Sequence, residues 1–334
     1  MVNDVSEAMW NEIEQNPREF GYLNAKPVTP GIELFLAVDH EGYRHALLLL
    51  ESFEQAFVDD RSRGLTVRGR GLEVEGQSGR PFLDIVCTDR NGHDAFNLVI
   101  AEILQRLAAG DSAADAVRLT LARWRRFWGG SPGAGLSREQ VRGLFGELWF
   151  LLVWLIPHGL DNVRHWTGPT GARHDFQWPV FSVEVKTTES IRGHVHRING
   201  LDQLDPPDNG ILYLFSLRVR EEASSSNSLV TAVNGIMDAL SGNPILLDLF
   251  EDRLARAGYS PVQADRYSQI RFRLVGERLY RVDSGFPRLS TASFGGGLPR
   301  GVERVEYDIN LETCPDLLVG RSPAEPGLDL TPRR

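Results

Sequence analysis

The sequence predicts an α/β protein: a mixed sheet flanked by helices in the carboxy-terminal part, preceded by a smaller α+β domain. Three observations carry this. Short runs with two-residue alternation, bounded by turn residues, crowd positions 31–88. From 137 to 310 helical and strand patterns alternate, and residues 211–219 are apolar enough for the centre of a sheet. Between the two regions lies Gly129-Gly130-Ser131-Pro132-Gly133-Ala134-Gly135, a linker by composition. The expected division is therefore 1–130 for the α+β domain, 136–318 for the α/β domain, and 319–334 for a disordered tail carrying Pro323, Pro326 and Pro332.

Taken in order, residues 7–15 carry a helical pattern and lead into a Pro/Gly-bounded loop. Strands follow over 32–38, 43–50, 65–70, 72–75 and 82–88, with turns at Asp39-His40-Glu41-Gly42, Gly69-Arg70-Gly71 and Gln77-Ser78-Gly79-Arg80-Pro81. Helices over 95–108 and 112–128 break at Gly110-Asp111. Nothing here reads as catalytic, so recognition or docking is the expected role of this domain. Beyond the linker, Ser137-Arg138-Glu139-Gln140 is a capping box that opens a helix to about Ile156. A loop over 161–174 leads to the stretch 175–188, then strands over 191–198 and 211–219, helices over 229–240 and 244–257, and strands over 269–275, 277–283 and 302–310.

Composition narrows the function. Residues 1–11 carry acids and no apolar run, so no secretory signal is expected. The longest apolar stretch, 148–156, is far short of the roughly 20 residues of a membrane span, so no membrane association is expected. Cys87 and Cys314 lack metal-ligand spacing, which suits free thiols in a reducing cytoplasm. A net charge of −9 argues against a nonspecific nucleic-acid coat protein. Charge is nevertheless uneven: Arg118, Arg123, Arg125, Arg126, Arg138 and Arg142 meet only Glu139 over 118–142, with Trp124, Phe127 and Trp128 interleaved. Either Arg123, Arg125 and Arg126 lie along a phosphate backbone, or the cluster is a solvated helix face paired with acids.

The stretch 175–188 holds the densest chemistry. Val183 and Val185 alternate with Glu184 and Lys186 at the period of a half-buried strand, which puts both charges on one face. Trp178-Pro179-Val180 reads as a turn that folds Asp175 back beside Glu184. Two adjacent carboxylates cannot both stay ionised without a cation, and Mg²⁺, with Mn²⁺ as a substitute, suits oxygen ligands. Asp175, Glu184 and the Val185 carbonyl are the candidate ligands. Lys186 is one of two lysines among 36 basic residues, the other being Lys26. Its position therefore demands an ammonium, which can orient or deprotonate a water where a guanidinium cannot.

Glu147 lies amid Leu144, Phe145, Leu148, Phe150 and Leu151, with no basic residue three or four positions away. A carboxylate in such surroundings needs a cation or a hydrogen-bond donor. His194 and His196 fall on one strand face. They read as a zinc pair lacking further ligands, as phosphate contacts at the flank of the site, or as solvent-facing residues.

At Gly146-Glu147-Leu148, Asp175, Glu184-Val185-Lys186 and Thr187-Thr188 the chain resembles the PD-(D/E)XK nuclease superfamily, and more closely the bacterial PD-(D/E)XK proteins of restriction and phage-defence loci. The resemblance covers about 137–217, and it departs from the pattern where His174, not proline, precedes Asp175. It implies a restriction-endonuclease-like fold and Mg²⁺-dependent hydrolysis of DNA. Asp175, Glu184, Lys186 and Glu147 would then be catalytic, and Asp175, Glu184, Val185 and Glu147 would surround the metal. Thr187, Thr188, His194, His196 and Gln203 would flank the nucleic acid, Gln203 falling where some relatives place a supporting glutamine. The resemblance also implies helicase or methyltransferase partners in a defence system, and a homodimer if both strands are cut. The other class of function is a non-catalytic DNA-binding or scaffold subunit on the same fold.

Overall fold

The computed structural model describes residues 5–15, 22–62, 64–74, 77–128, 135–208, 210–295, 298–324 and 328. The chain divides into two compact units, Met1–Gly133 and Ala134–Arg334. Most of the glycine-rich linker, 129–134, and most of the expected tail lie outside the described residues.

The first unit contains α1 (Glu7–Glu14), β1 (Asn24–Pro27), β2 (Leu34–Val38), β3 (Arg44–Leu49), β4 (Leu65–Val74), β5 (Gln77–Cys87), α2 (His93–Ala108) and α3 (Ala113–Trp128). Its sheet is antiparallel throughout, in the order β1-β2-β3-β5-β4. Alternation sends Leu34, Leu36, Ala46, Leu48, Leu83 and Ile85 to the face covered by Phe96, Val99, Ile103, Val117 and Leu121 of α2 and α3. Arg44 is buried and ties α1 to the sheet by donating to Glu7 (2.7 and 2.8 Å) and Glu14 (3.2 Å).

Two expected turns here are strand. Gly69-Arg70-Gly71 continues β4, pairing with Leu83, Phe82 and Pro81. Gly69 is required for contact instead of for a turn, since a Cβ there would lie 2.5 Å from the Ala56 side chain. Residues 77–81 likewise belong to β5.

The second unit contains α4 (Arg138–Trp149), β6 (Phe176–Gln177), β7 (Phe181–Thr188), β8 (Val195–Asn199), β9 (Ile211–Glu221), α5 (Leu229–Leu240), α6 (Pro244–Arg256), α7 (Ala264–Ser268), β10 (Phe272–Val282), β11 (Glu306–Asn310) and β12 (Leu318–Gly320). The mixed sheet runs β12-β10-β9-β7-β6, with β7 parallel to β9 and the other pairs antiparallel. A second sheet pairs β8 with β11. The sheets and their flanking helices make the α/β architecture expected from the sequence.

Ser137 caps α4 through the expected box with Gln140. After Trp149 the helix continues as a π-helical turn, Phe150–Leu155, a form that recurs near functional sites. Phe150 and Trp154 on this turn pack against Phe215 of β9, tilted and edge-on, with ring centroids 4.6 and 5.0 Å apart. The run 138–158, 21 residues, is long and apolar enough to cross a membrane by length and composition, which the shorter apolar count from sequence did not capture. Half of it is buried inside this unit, as in a core helix.

Other elements differ from expectation where pairing overrides local pattern. β10 is one strand with a register shift between Leu274 and Gly276, where two strands were expected. Leu318–Gly320 is not tail: it forms β12 against Leu279 and Tyr280.

Candidate active site

β7 is buried on both faces, a correction to the half-exposed strand expected from its alternation. Parallel pairing with β9 makes it an interior strand. Val185 and Thr187 face α4, and a Cβ on Gly146 would lie 1.8 Å from Thr187 Oγ1. Only glycine lets the helix approach this closely. On the other face Lys186 stands beside Ser216 of β9.

The hairpin folds as the Trp178-Pro179-Val180 turn predicts. Trp178 N–H donates to the Phe181 carbonyl (2.8 Å), and β6 pairs Phe176 with Val183. This carries Asp175 back to the strand, where its Oδ2 accepts from Val185 N–H at 2.8 Å. The Asp175 carbonyl is held in turn by the N–H groups of Thr167 (2.8 Å) and Gly168 (2.9 Å). Lys186 Nζ lies 3.0 Å from Glu184 Oε1. Gln203 donates to the Glu184 carboxylate and accepts from Asn199 N–H at 3.1 Å.

Glu147 meets its need for a donor through Trp166, whose Nε1–H reaches Glu147 Oε2 at 2.8 Å. The donor comes from the loop before Asp175, across the site and not along the helix, so helix spacing could not reveal it.

Glu147, Asp175, Glu184, Val185, Lys186 and Gln203 line a cleft of about 800 Å³, together with Arg142, Thr188, Glu189, Ser190, His196, Asn199, Arg304 and others. Its carboxylates are crowded. Burial, and then the charge of Asp175, push Glu184 up to about 8, against the pull of Lys186 and Gln203. Burial and Asp175 likewise hold Glu147 well above the usual carboxylate range, with the Trp166 hydrogen bond opposing. Burial raises Asp175, against Val185 N–H and Lys186. Such a cluster is short of positive charge.

The donor set fits a hard divalent cation in kind, being carboxylate and carbonyl oxygen only. Its count is small. Among the described residues no three His, Cys, Asp or Glu side chains are arranged to hold a metal ion. Asp175 and Glu184 thus make a two-carboxylate set that needs the Val185 carbonyl as its third oxygen, while one oxygen of Glu147 is taken by Trp166.

The histidines are neither solvent-facing nor a zinc pair. His194 Nδ1 and His196 Nε2 both lie 2.6 Å from Ser216 Oγ, and all three residues are buried. Burial lowers His194 to about 4 and His196 to about 3, so both are neutral. Only His196 lines the cleft; His194 packs beneath Gly276, whose missing Cβ leaves room for its ring. Thr187 and Thr188 line the cleft. Serine 216 was not anticipated, and a serine inside an apolar strand was its only sequence signal.

The arginine cluster is divided between the units. In the first, Arg118 meets Asp115 (3.6 Å), Arg123 meets Glu102 (3.2 Å) and Arg125 meets Asp59 (2.9 Å). The side chain of Arg126 lies outside the described residues. In the second, Arg138 pairs with Glu221 and Arg142 with Glu189 (2.6 Å). The pairing is that of a helix face satisfied by acids, and of these arginines only Arg142 lines the cleft.

No curated protein and no solved structure matches the chain. A family described as "Putative PD-(D/E)XK family member, (DUF4420)" matches residues 6–312. The match spans both units, well beyond the segment that carries the visible motif. On that extent, this chain belongs to the PD-(D/E)XK-type family so described.

Proposed function

We propose that this protein is a metal-dependent endonuclease that hydrolyses DNA phosphodiester bonds in the cleft of its second unit. The observation that carries the reading is the convergence of Asp175, Glu184 and Lys186 where β6 and β7 open, with Lys186 Nζ 3.0 Å from Glu184. Mg²⁺, replaceable by Mn²⁺, would be held by Asp175, Glu184 and the Val185 carbonyl, with Glu147 beside it. When bound, such an ion polarises a phosphoryl oxygen and acidifies water.

The chain's own groups supply the rest. Lys186 presents an ammonium that orients water and offsets charge as it builds on the phosphate. Gln203 and Trp166 hold Glu184 and Glu147 in position. Arg142 and Arg304, at the cleft wall, would reach flanking phosphates by giving up their ion pairs with Glu189 and Glu306.

The role proposed with this activity is in a bacterial restriction or anti-phage defence system of the cytoplasm, on the resemblance carried by Glu147, Asp175, Glu184, Lys186, Thr187 and Thr188. The first unit would then read DNA or dock a helicase or methyltransferase partner, and a homodimer would allow cutting of both strands. A second reading, a non-catalytic scaffold, is favoured by one observation: among the described residues no third side-chain ligand is arranged beside Asp175 and Glu184.

Calorimetric titration of the purified protein with Mg²⁺ and Mn²⁺ separates the readings. Binding that Asp175→Asn weakens supports the nuclease site. Absence of binding by the wild type removes it in favour of the scaffold.

A further inference from the structure

The connection from β7 to β8 crosses the rim of the cleft as a braced finger. Glu189 and Ser190 line the cleft, and the next residue, Ile191, is 91 % exposed, more than any other large apolar side chain among the described residues. The finger is held from both sides. Thr188 Oγ1 accepts from Ser190 N–H (3.1 Å), and Ser190 Oγ from Arg192 N–H (3.2 Å). Arg218 donates to the carbonyls of Ser190 (3.0 Å) and Ile191 (3.4 Å). On the descending side Glu312 accepts from His194 N–H (3.0 Å) and is pinned by Arg278 (2.9 Å). Gly193, at φ 105°, passes so close that a Cβ would lie 2.5 Å from Glu312 Oε1.

This arrangement works against the hydrophobic effect. Arg218 and a chain of backbone hydrogen bonds brace the loop that carries it, directly after the cleft-lining Glu189 and Ser190. Isolated exposed apolar residues are common. One held outward by a rigid loop, three residues beyond the cleft-lining Thr188, is placed against whatever enters the cleft.

We propose that Ile191 is an apolar wedge that inserts between base steps of duplex DNA lying in the cleft, with Arg192 set beside the adjacent phosphate. The inference rests on the DNA reading above. Apolar wedges of this size unstack a base step and kink the duplex, and they act more readily where stacking is already weak.

The test compares binding of a matched duplex and of the same duplex carrying a central mismatch, in Ca²⁺, for wild type, Ile191→Ala and Ile191→Leu. The wild type should prefer the mismatched duplex by about tenfold, in line with the unstacking it is spared. Ile191→Leu should keep that preference. Ile191→Ala should lose it, with unfolding and metal binding unchanged. DNA binding and cleavage with a preference that Ile191→Ala leaves intact, or with no preference in the wild type, overturns the wedge alone. Failure of the wild type to bind either duplex or to cut DNA overturns the DNA reading itself.

Discussion

Replacing Glu184 by glutamine should stabilise the metal-free protein at alkaline pH while removing its function. Glu184 is raised from an ordinary value of 4.5 to about 8, chiefly by burial and then by Asp175. A carboxyl with a raised folded-state value contributes stability that is fully present below pH 4.5 and is lost as pH rises through about 8. At about 1.4 kcal/mol for each tenfold change in proton affinity, ionised Glu184 costs the fold on the order of 4 kcal/mol at the upper end of that window. Glutamine has the same shape, keeps an oxygen for Lys186, and does not ionise. Urea unfolding at pH 5, 6.5 and 8 in EDTA should therefore show wild type and variant close together at pH 5 and the variant ahead by a few kcal/mol at pH 8. Added Mg²⁺ should narrow that gap by stabilising only the wild type, by about 2.7 kcal/mol at a hundredfold excess over Kd. A difference that does not change with pH, or a variant less stable in EDTA at pH 8, would refute the account of the site as a crowded carboxylate cluster.

Other consequences follow from the same geometry. Gly146→Ala should destabilise by about 1–3 kcal/mol, because its Cβ would stand 1.8 Å from Thr187 Oγ1. Gly143→Ala, with nothing within 4 Å, should gain up to about 1 kcal/mol, and thermal unfolding of the two variants checks the contrast. Ser216→Ala leaves His194 and His196 each without its 2.6 Å partner and should cost about 1–3 kcal/mol. The histidines, lowered from 6.5 to about 4 and about 3, give stability that is present above pH 6.5 and lost as pH falls toward those values. Replacing both by glutamine should flatten that acid limb in a pH series of unfolding midpoints. Trp166→Phe, which strips the 2.8 Å donor from Glu147, should lower the cleavage rate with little change in DNA binding.

The chemistry of the site was legible because it is local. Alternation over 183–186, a proline turn and a scarce lysine bring Asp175, Glu184 and Lys186 together, and the structure joins them through the Val185 amide and the Lys186 ion pair. The need of Glu147 for a donor was legible as well, but not Trp166, which reaches it across space. Helix 229–240 was read to the residue, and Ser228 caps it.

What failed to show was decided by neighbouring strands. β4 runs through two glycines because β5 and the nearby Ala56 accept them, and β10 runs through a bulge because β9 pairs with both halves. The arginines over 118–142 look like one patch in sequence, yet acids from Asp59 to Glu221 answer Arg118, Arg123, Arg125, Arg138 and Arg142 one at a time. Burial of the two histidines depends on Ser216, twenty residues away from His196 and invisible to strand spacing.

The central claim is that Asp175, Glu184 and Lys186 form a metal-dependent phosphodiesterase site. Incubation of supercoiled and linear DNA with purified protein in Mg²⁺, Mn²⁺ or EDTA, beside Lys186→Ala, tests it most directly. The account predicts cutting with either metal, none in EDTA, and none with the variant at unchanged fold. Cutting by Lys186→Ala at the wild-type rate, or undiminished cutting in EDTA, would contradict it.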